Sequence, residues 1–399
     1  MKALNIVFIT AADLPQGGGN TTRLKTLVTA LQNMGHHVNI LLEHSQGNVA
    51  PEMLQPQGEI GGAPFQYVTG STIKPKGYQF FTKKLSAVFK IRDHIKKLHE
   101  EGKVDVLWFN QSAAHLIYPL TRLGKKLGIK IVHSYEDERL KGNGLKRQLI
   151  YANQSLADRK LTAHADHIVA ISHYLRDKYA LLTENKVPIS IIPTIIDPAF
   201  WDCTSTTPQN EYPLLVYTGG FFGFDEVEEV IHAVRLLKNK GIIVHFNLIG
   251  YNKNDPEYMQ SVQSLINELG IEEQVKMLGF VPFEQLKAQL AKADLLIGIR
   301  KDDGWSNTGF STKLSEYLAT GRPVLCAALE ENCHYLKDQQ NAYMVTPGAT
   351  AETIAKAIEY AVTHPEQSQQ IGLAGQQVAK ERLSQTVVQE KLGKLLGEW

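Results

Sequence analysis

Short apolar runs alternate with stretches of helical periodicity along this chain, and the alternation occurs twice. Leu4–Thr10, Val38–Leu42, Val104–Phe109, Lys130–Ser134 and His167–Ile171 have the length and composition of strands covered on both faces. Between the first two, Leu24, Leu27, Val28, Leu31 and Met34 recur at helical spacing, and Gly35 supplies the stop. The pattern restarts at Tyr212–Thr218, a run ending in Gly219-Gly220. Helix Val227–Leu237, strand Val244–Ile249, helix Tyr258–Leu269, strand Val275–Leu278 and helix Phe283–Ala293 are expected next. Strand Leu295–Ile299, helix Lys313–Thr320 and strand Pro323–Ala327 follow. Strands alternating with helices in this way form doubly wound sheets. Asp197–Pro213, rich in Asp, Pro, Thr, Asn and Gln, reads as a linker. The expected fold class is therefore α/β, with two Rossmann-like domains and a cleft between them. A chain of 399 residues is long enough for two cores.

Charge divides along the same line. The formal net charge is +1, but residues 1–200 carry +9 and the remainder −8. Two domains with different partners would produce such a split. The basic half suits anionic lipid, phosphorylated substrates or the acidic half. Its cations are not interleaved with an aromatic or helix-turn-helix pattern, so no nucleic-acid partner is expected. Cys203, Cys326 and Cys333 are odd in number and form no CxxC, which argues against a disulfide scaffold or a zinc ribbon. No run approaches the ~20 apolar residues of a membrane span. The expected location is the cytoplasm.

Two segments invite a ligand. The first, Gly17-Gly18-Gly19-Asn20-Thr21-Thr22, follows a strand and opens a helix, so its backbone could approach an anion closely. Gly17 and Gly19 fit a dinucleotide fingerprint and Glu43 follows the next strand, but Thr22 replaces the third glycine. A turn with an Asn/Thr helix cap explains the same residues without a ligand. The second segment runs from Asn307 to Val324. Lys313 lies in a first helical turn, where a cation opposes the helix dipole. A phosphate at that end would make the lysine favourable, and Glu316, a turn later, could accept both hydroxyls of a ribose. An ordinary surface Lys313–Glu316 pair is the alternative. With no ligand bound, removal of Lys313 is expected to leave the fold unchanged or slightly more stable.

From these blocks the chain resembles the retaining GT-B glycosyltransferases of the large family that includes sucrose synthases and bacterial cell-envelope glycosyltransferases. Pro15–Gly19 with Gly35-His36-His37-Val38 is similar to the family's first βα unit. Ala165–Ser172, Ile191–Asp197, Val275–Pro282 and Thr312–Val324 resemble later signatures in the same order. The resemblance implies a GT-B fold, two Rossmann-like doubly wound domains facing a central cleft. It divides the chain into an acceptor-side domain at 1–200, a nucleotide-sugar domain at 201–380, and a last helix at 381–399 packing back on the first domain. It implies transfer of a hexose-type sugar from a nucleotide sugar to a glycan or lipid-linked acceptor in cell-envelope polysaccharide synthesis.

The resemblance also assigns residues. Donor contacts fall on Gly18, Gly19, Gly219, Gly220, Val281, Gly309, Phe310, Ser311, Thr312, Lys313 and Glu316. Glu316 matches the family's ribose-binding glutamate, while Thr308 stands where its partner glutamate is usual. The Arg and Lys often found after the second domain's first strand are absent from Gly219–Asp225, so Arg300 and Lys313 become the expected diphosphate cations. No DxD motif is evident, and metal-independent action without a cofactor is implied. On the acceptor side, Glu136 replaces a histidine, giving the catalytic set Lys313, Arg300 and Glu136. Tyr135-Glu136-Asp137-Glu138 otherwise reads as a solvated acidic turn.

Tyr78–Glu100 places Phe81, Leu85, Val88, Ile91, Ile95 and Leu98 near helical spacing among six lysines and arginines. It reads either as a peripheral contact with anionic membrane on the inner face, or as a Rossmann helix with solvated lysines. Two other classes stay open. One is a nucleotide-sugar-binding subunit without catalysis, given Thr308. The other is an NAD-dependent Rossmann enzyme.

Overall fold

The structure is a computed structural model. It describes the chain apart from residues 1, 18, 46–49, 74–78, 111–112, 137–143, 145–147, 149–150, 153–154, 156–157, 159–163, 207, 222, 253–254, 304–305, 307 and 398, and describes only the backbone of 79–81. The chain forms two compact units, Met1–Ile195 with Gln385–Trp399, and Ile196–Ser384.

The first unit holds strands β1 (Asn5–Thr10), β2 (His37–Leu42), β3 (Gln57–Ile60), β4 (Ala63–Tyr67), β5 (Val106–Asn110), β6 (Lys130–Tyr135), β7 (His167–Ala170) and β8 (Ile189–Ile191). Their order is β3-β4-β2-β1-β5-β6-β7-β8. All neighbours run parallel except the hairpin β3–β4. That hairpin turns on Gly61-Gly62, both at positive φ, as a tight two-residue turn requires. Alternate residues of β1 enter different cores, as the two-residue strand period dictates. Ile6 and Phe8 pack with Leu24, Leu27 and Val28 of the helix Gly19–Asn33. Val7 and Ile9 pack with Ile91, Ile95 and Leu116. The last helix, Gln385–Leu396, buries Val388, Leu392, Leu395 and Leu396 in the first of these cores. Full burial of each such side chain is worth about 1.5–3 kcal/mol.

The second unit holds β9 (Leu214–Thr218), β10 (His245–Ile249), β11 (Val275–Gly279), β12 (Leu295–Gly298), β13 (Val324–Ala327) and β14 (Tyr343–Val345). Their order is β11-β10-β9-β12-β13-β14, with every neighbouring pair parallel. The chain reverses its direction of winding at β9/β12, which opens a crevice at the carboxyl ends of those two strands. Asp197–Pro213 is not a free linker. Asp197 caps a short helix, Pro198–Trp201, by accepting from the Ala199 and Phe200 amides. Trp201 and Cys203 are buried, and the Cys203 amide donates to the Thr320 carbonyl at 3.1 Å. The indole and thiol need apolar cover, so the segment folds onto its own unit. Among the described residues no helix is long and apolar enough to cross a membrane.

Candidate functional site

The β9/β12 switch point gathers several residues singled out in the sequence. Gly219 and Gly220 follow β9, Arg300 follows β12, and Lys313 and Glu316 lie on the helix Thr312–Ala319. Tyr317 locks that helix to the sheet. Its buried hydroxyl accepts from the Thr218 amide at the end of β9, at 2.7 Å. A tyrosine hydroxyl buried in this way needs such a partner. Lys313 and Glu316, flanking this anchor, are thereby fixed against the strand ends.

Lys313 is not a solvated helix-end cation. Its Nζ lies 3.2 Å from Asp225 Oδ1 and 4.0 Å from the centre of the Tyr217 ring, with 12% of the side chain exposed. Arg300 approaches the same carboxylate oxygen at 3.5 Å, while its guanidinium lies 4.8 Å over Phe224. Tyr217 donates to the other oxygen, Oδ2, at 2.7 Å. A Cβ on Gly219 would lie 2.7 Å from Lys313 Nζ and 2.5 Å from the Tyr217 oxygen, so a larger residue there would displace the ends of these side chains. Gly250, at φ +123, lies against the Gly219 carbonyl, where a Cβ would collide. The premise of the expectation that Lys313 does nothing for the unliganded fold therefore changes: Lys313 faces a buried acid, not open solvent at a helix end. It is a direct partner of an acid that is 1% exposed, and a buried carboxylate is costly without partners. Nor does Lys313 pair with Glu316 on the surface. Its ion pair runs to Asp225, a residue the sequence reading did not single out.

Burial lowers the Lys313 pKa to about 8; Asp225 pulls it upward and Arg300 lowers it further. Burial raises the Glu316 carboxyl to about 7, against the opposing pull of Lys313. The Gly309–Thr312 segment leads into this helix. Phe310 is a core residue whose ring packs 4.7 Å from that of Tyr335, so its side chain belongs to the fold. Ser311 stands at the N-cap but makes no side-chain cap bond. That leaves first-turn amides available to an anion. Thr308 is buried, and Val281 packs partly buried against the core that includes Phe310, Leu314 and Tyr317.

The remaining sequence candidates lie in the first unit. Gly19 opens the helix Gly19–Asn33, while Gly18 lies outside the described residues. Gly17 is compact because a Cβ there would collide with Thr21, whose hydroxyl donates to the Asp13 carbonyl at 2.8 Å. Glu136 is not part of a solvated turn. Its Oε1 accepts from Arg23 Nε at 2.7 Å, with the two side chains 9% and 7% exposed. The other Arg23 nitrogens donate to the Pro193 and Ile192 carbonyls. Asp137 and Glu138 lie outside the described residues. Glu43, the acid a dinucleotide ribose would need, is buried and takes His115 Nε2 at 3.0 Å.

Comparison with known proteins agrees with this layout. Residues 17–200 match the model described as Glycosyltransferase Family 4, and residues 204–378 match Glycosyl transferases group 1. A stretch of 169 residues is 25% identical to a putative colanic acid biosynthesis glycosyltransferase, WcaL, of Salmonella typhimurium. It spans 42% of this chain and 40% of that relative. The crystal structure of Anabaena HepE in complex with UDP superposes with a TM-score of 0.75 at 15% identity, covering 99% of this chain and all of that one. Sucrose-phosphate synthase from Thermosynechococcus elongatus gives a TM-score of 0.69 at 14% identity, covering 99% and 98%. At these identities the structural likeness speaks for the fold.

Proposed function

Because the chain is a GT-B glycosyltransferase, with a family 4 domain followed by a group 1 domain, we propose that it moves a hexose-type sugar from a nucleotide sugar to a hydroxyl of a glycan or lipid-linked acceptor, with retention at the anomeric carbon. The observation that carries this reading is the pair of cations, Arg300 and Lys313, converging on one carboxylate at the β9/β12 switch point. When a sugar leaves a nucleoside diphosphate, negative charge grows on the β-phosphate and the sugar becomes oxocarbenium-like. Cations and free helix amides set at that phosphate lower the barrier, because they need no reorganisation as the charge develops. Glu316, half-buried one turn beyond Lys313, suits a ribose diol. Its raised pKa leaves it protonated part of the time near neutrality, so it can donate to a hydroxyl as well as accept.

Transfer without a metal is part of the proposal, since two side-chain cations supply the charge that a divalent ion otherwise would. The name of the WcaL relative, a putative colanic acid biosynthesis glycosyltransferase, supports a role in cell-envelope polysaccharide synthesis. A peripheral membrane contact fits the helix Gln79–Glu100. It leaves Leu85 60% and Phe89 45% exposed while burying Val88, Ile91 and Ile95. Exposed apolar residues beside lysines suit an anionic bilayer surface. Buried Thr308, in place of a glutamate, supports the competing reading of a sugar-nucleotide-binding subunit without turnover.

Incubation with radiolabelled UDP-, GDP- and ADP-sugars and a panel of alkyl glycosides tests the proposal. Transfer in the presence of EDTA, with the product anomer matching the donor by NMR, is the expected result. Donor binding with no transfer would favour the inactive subunit, and inversion would remove the retaining assignment.

A further inference from the structure

Asp225 follows β9 in a stretch that carries no cation of its own, from Gly219 to Asp225. Its carboxylate is among the most enclosed charged groups described, yet it meets three donors: Tyr217, Lys313 and Arg300. A backbone bridge also pairs Asp225 with Arg300, so the carboxylate and the guanidinium are held in register by the chain itself. One cation would neutralise one buried acid. Two cations share this one, with Glu316 as a second carboxylate near Lys313, beside a helix start whose N-cap side chain makes no cap bond.

We propose that Asp225 is a positioning residue of the donor site, a carboxylate that sets the Lys313 ammonium and the Arg300 guanidinium in place before a diphosphate arrives. The inference rests on the donor-site reading above. Each cation has several N–H donors and Asp225 occupies only part of each set, so spare donors remain for phosphate oxygens. Asp225 also acts on charge. Lys313 is packed against Gly219 and the Tyr217 ring of β9, with Arg300 beyond β12 and Glu316 on its own helix. Burial and Arg300 both favour loss of its proton, while Asp225 and Glu316 oppose that loss. Without the Asp225 charge the lysine would turn neutral at lower pH and cease to attract a diphosphate.

A second consequence separates this role from plain structural support. A carboxylate that merely braced the fold would change affinity equally at every pH. A carboxylate that keeps Lys313 charged matters most where the lysine is about to lose its proton.

Isothermal titration of the full chain with UDP, GDP and ADP, from about pH 6 to about pH 9, tests the proposal. The parent should bind one of the three, with affinity falling as pH passes the Lys313 value of about 8. Asp225→Asn should move that fall to lower pH, weakening binding about tenfold at about pH 8 and less than about threefold at about pH 6. An Asp225→Asn profile that overlays the parent, or lies below it by the same factor throughout, overturns the proposal. If the parent binds none of the three, the donor-site reading itself fails and the proposal falls with it. Should Asp225→Asn not fold, Asp225→Glu carries the test. It keeps the charge on a longer arm, so the alkaline fall should stay in place while affinity drops at least about threefold. Parent-like affinity in a folded Asp225→Glu protein overturns the positioning role.

Discussion

In the second unit a single carboxylate, Asp225, meets two cations, whereas in the first unit Glu136 meets Arg23, whose other nitrogens are already held by the Pro193 and Ile192 carbonyls. Both arrangements sit after strands of a Rossmann-like sheet, and both bury an acid with a base. They differ in what is left over. Around Asp225 two cations share one carboxylate and keep N–H donors for an anionic leaving group. Around Arg23 one cation meets one acid and each nitrogen already has a protein acceptor, so the pair fastens the loop after β6 and the segment after β8 to the first helix. An ion pair seen at a strand end is therefore no guide to function until its donors have been counted.

The largest effect should come from breaking the closed pair. Arg23→Ala leaves Glu136 buried without its guanidinium, a change that costs about 3–5 kcal/mol in comparable settings. Thermal unfolding should show a clear drop in the midpoint of the first unit's transition, with nucleoside diphosphate affinity retained in the fraction that stays folded. An unchanged midpoint would mean that the pair does not fasten the loop.

A smaller, pH-dependent effect should come from Glu316. Its pKa is raised in the folded state, so protonation stabilises the fold. That contribution is complete below the ordinary carboxylate range and is lost as pH rises through about 7. Glu316→Gln cannot acquire the buried charge. Without ligand it should melt higher than the parent by about 2–4 °C at about pH 8 and equally at about pH 4. A constant difference across that range would show that Glu316 does not titrate as the geometry implies.

Much of the frame was legible in the sequence, and the reasons are local. β1, β2, β5, β9, β10 and β12 are predominantly apolar runs of strand length, and the Gly19–Asn33 and Val227–Asn239 helices carry a clear 3.6-residue stripe. The hairpin β3–β4 was not read. Its cue was present in Ala63, Phe65 and Tyr67, which alternate inward around the Gly61-Gly62 turn. β14 and the helices Ala351–Thr363 and Pro365–Val378 were likewise not read from sequence. The site divides in the same way. Lys313, Glu316 and Gly219 stand in recognisable local blocks. Asp225 does not, because its partner Lys313 is 88 residues away along the chain. Arg23 and Glu136 are separated by 113 residues. Charge pairing over such distances is decided by strand order, and strand order is not written in any single window of sequence.

The smallest stability change should come from the exposed face of the helix Gln79–Glu100. Leu85→Ser with Phe89→Ser removes apolar surface that lies in water, so stability should move by no more than about 0.5 kcal/mol. Flotation with phosphatidylglycerol-containing vesicles at low salt should nevertheless fall relative to the parent. If the parent does not float, or if the double variant floats equally, the membrane contact is wrong and the basic first unit has another partner.

The central claim is that Lys313 and Arg300 of the second unit hold the donor's diphosphate. Isothermal titration of Lys313→Ala with whichever of UDP, GDP or ADP the parent binds tests it most directly. Loss of a charge-assisted contact should weaken binding by about 1.5–3 kcal/mol, roughly ten- to more than a hundredfold. The account predicts that loss in a protein shown by circular dichroism to remain folded, with the Arg23–Glu136 pair untouched. A folded Lys313→Ala protein that binds the nucleoside diphosphate as tightly as the parent would contradict it.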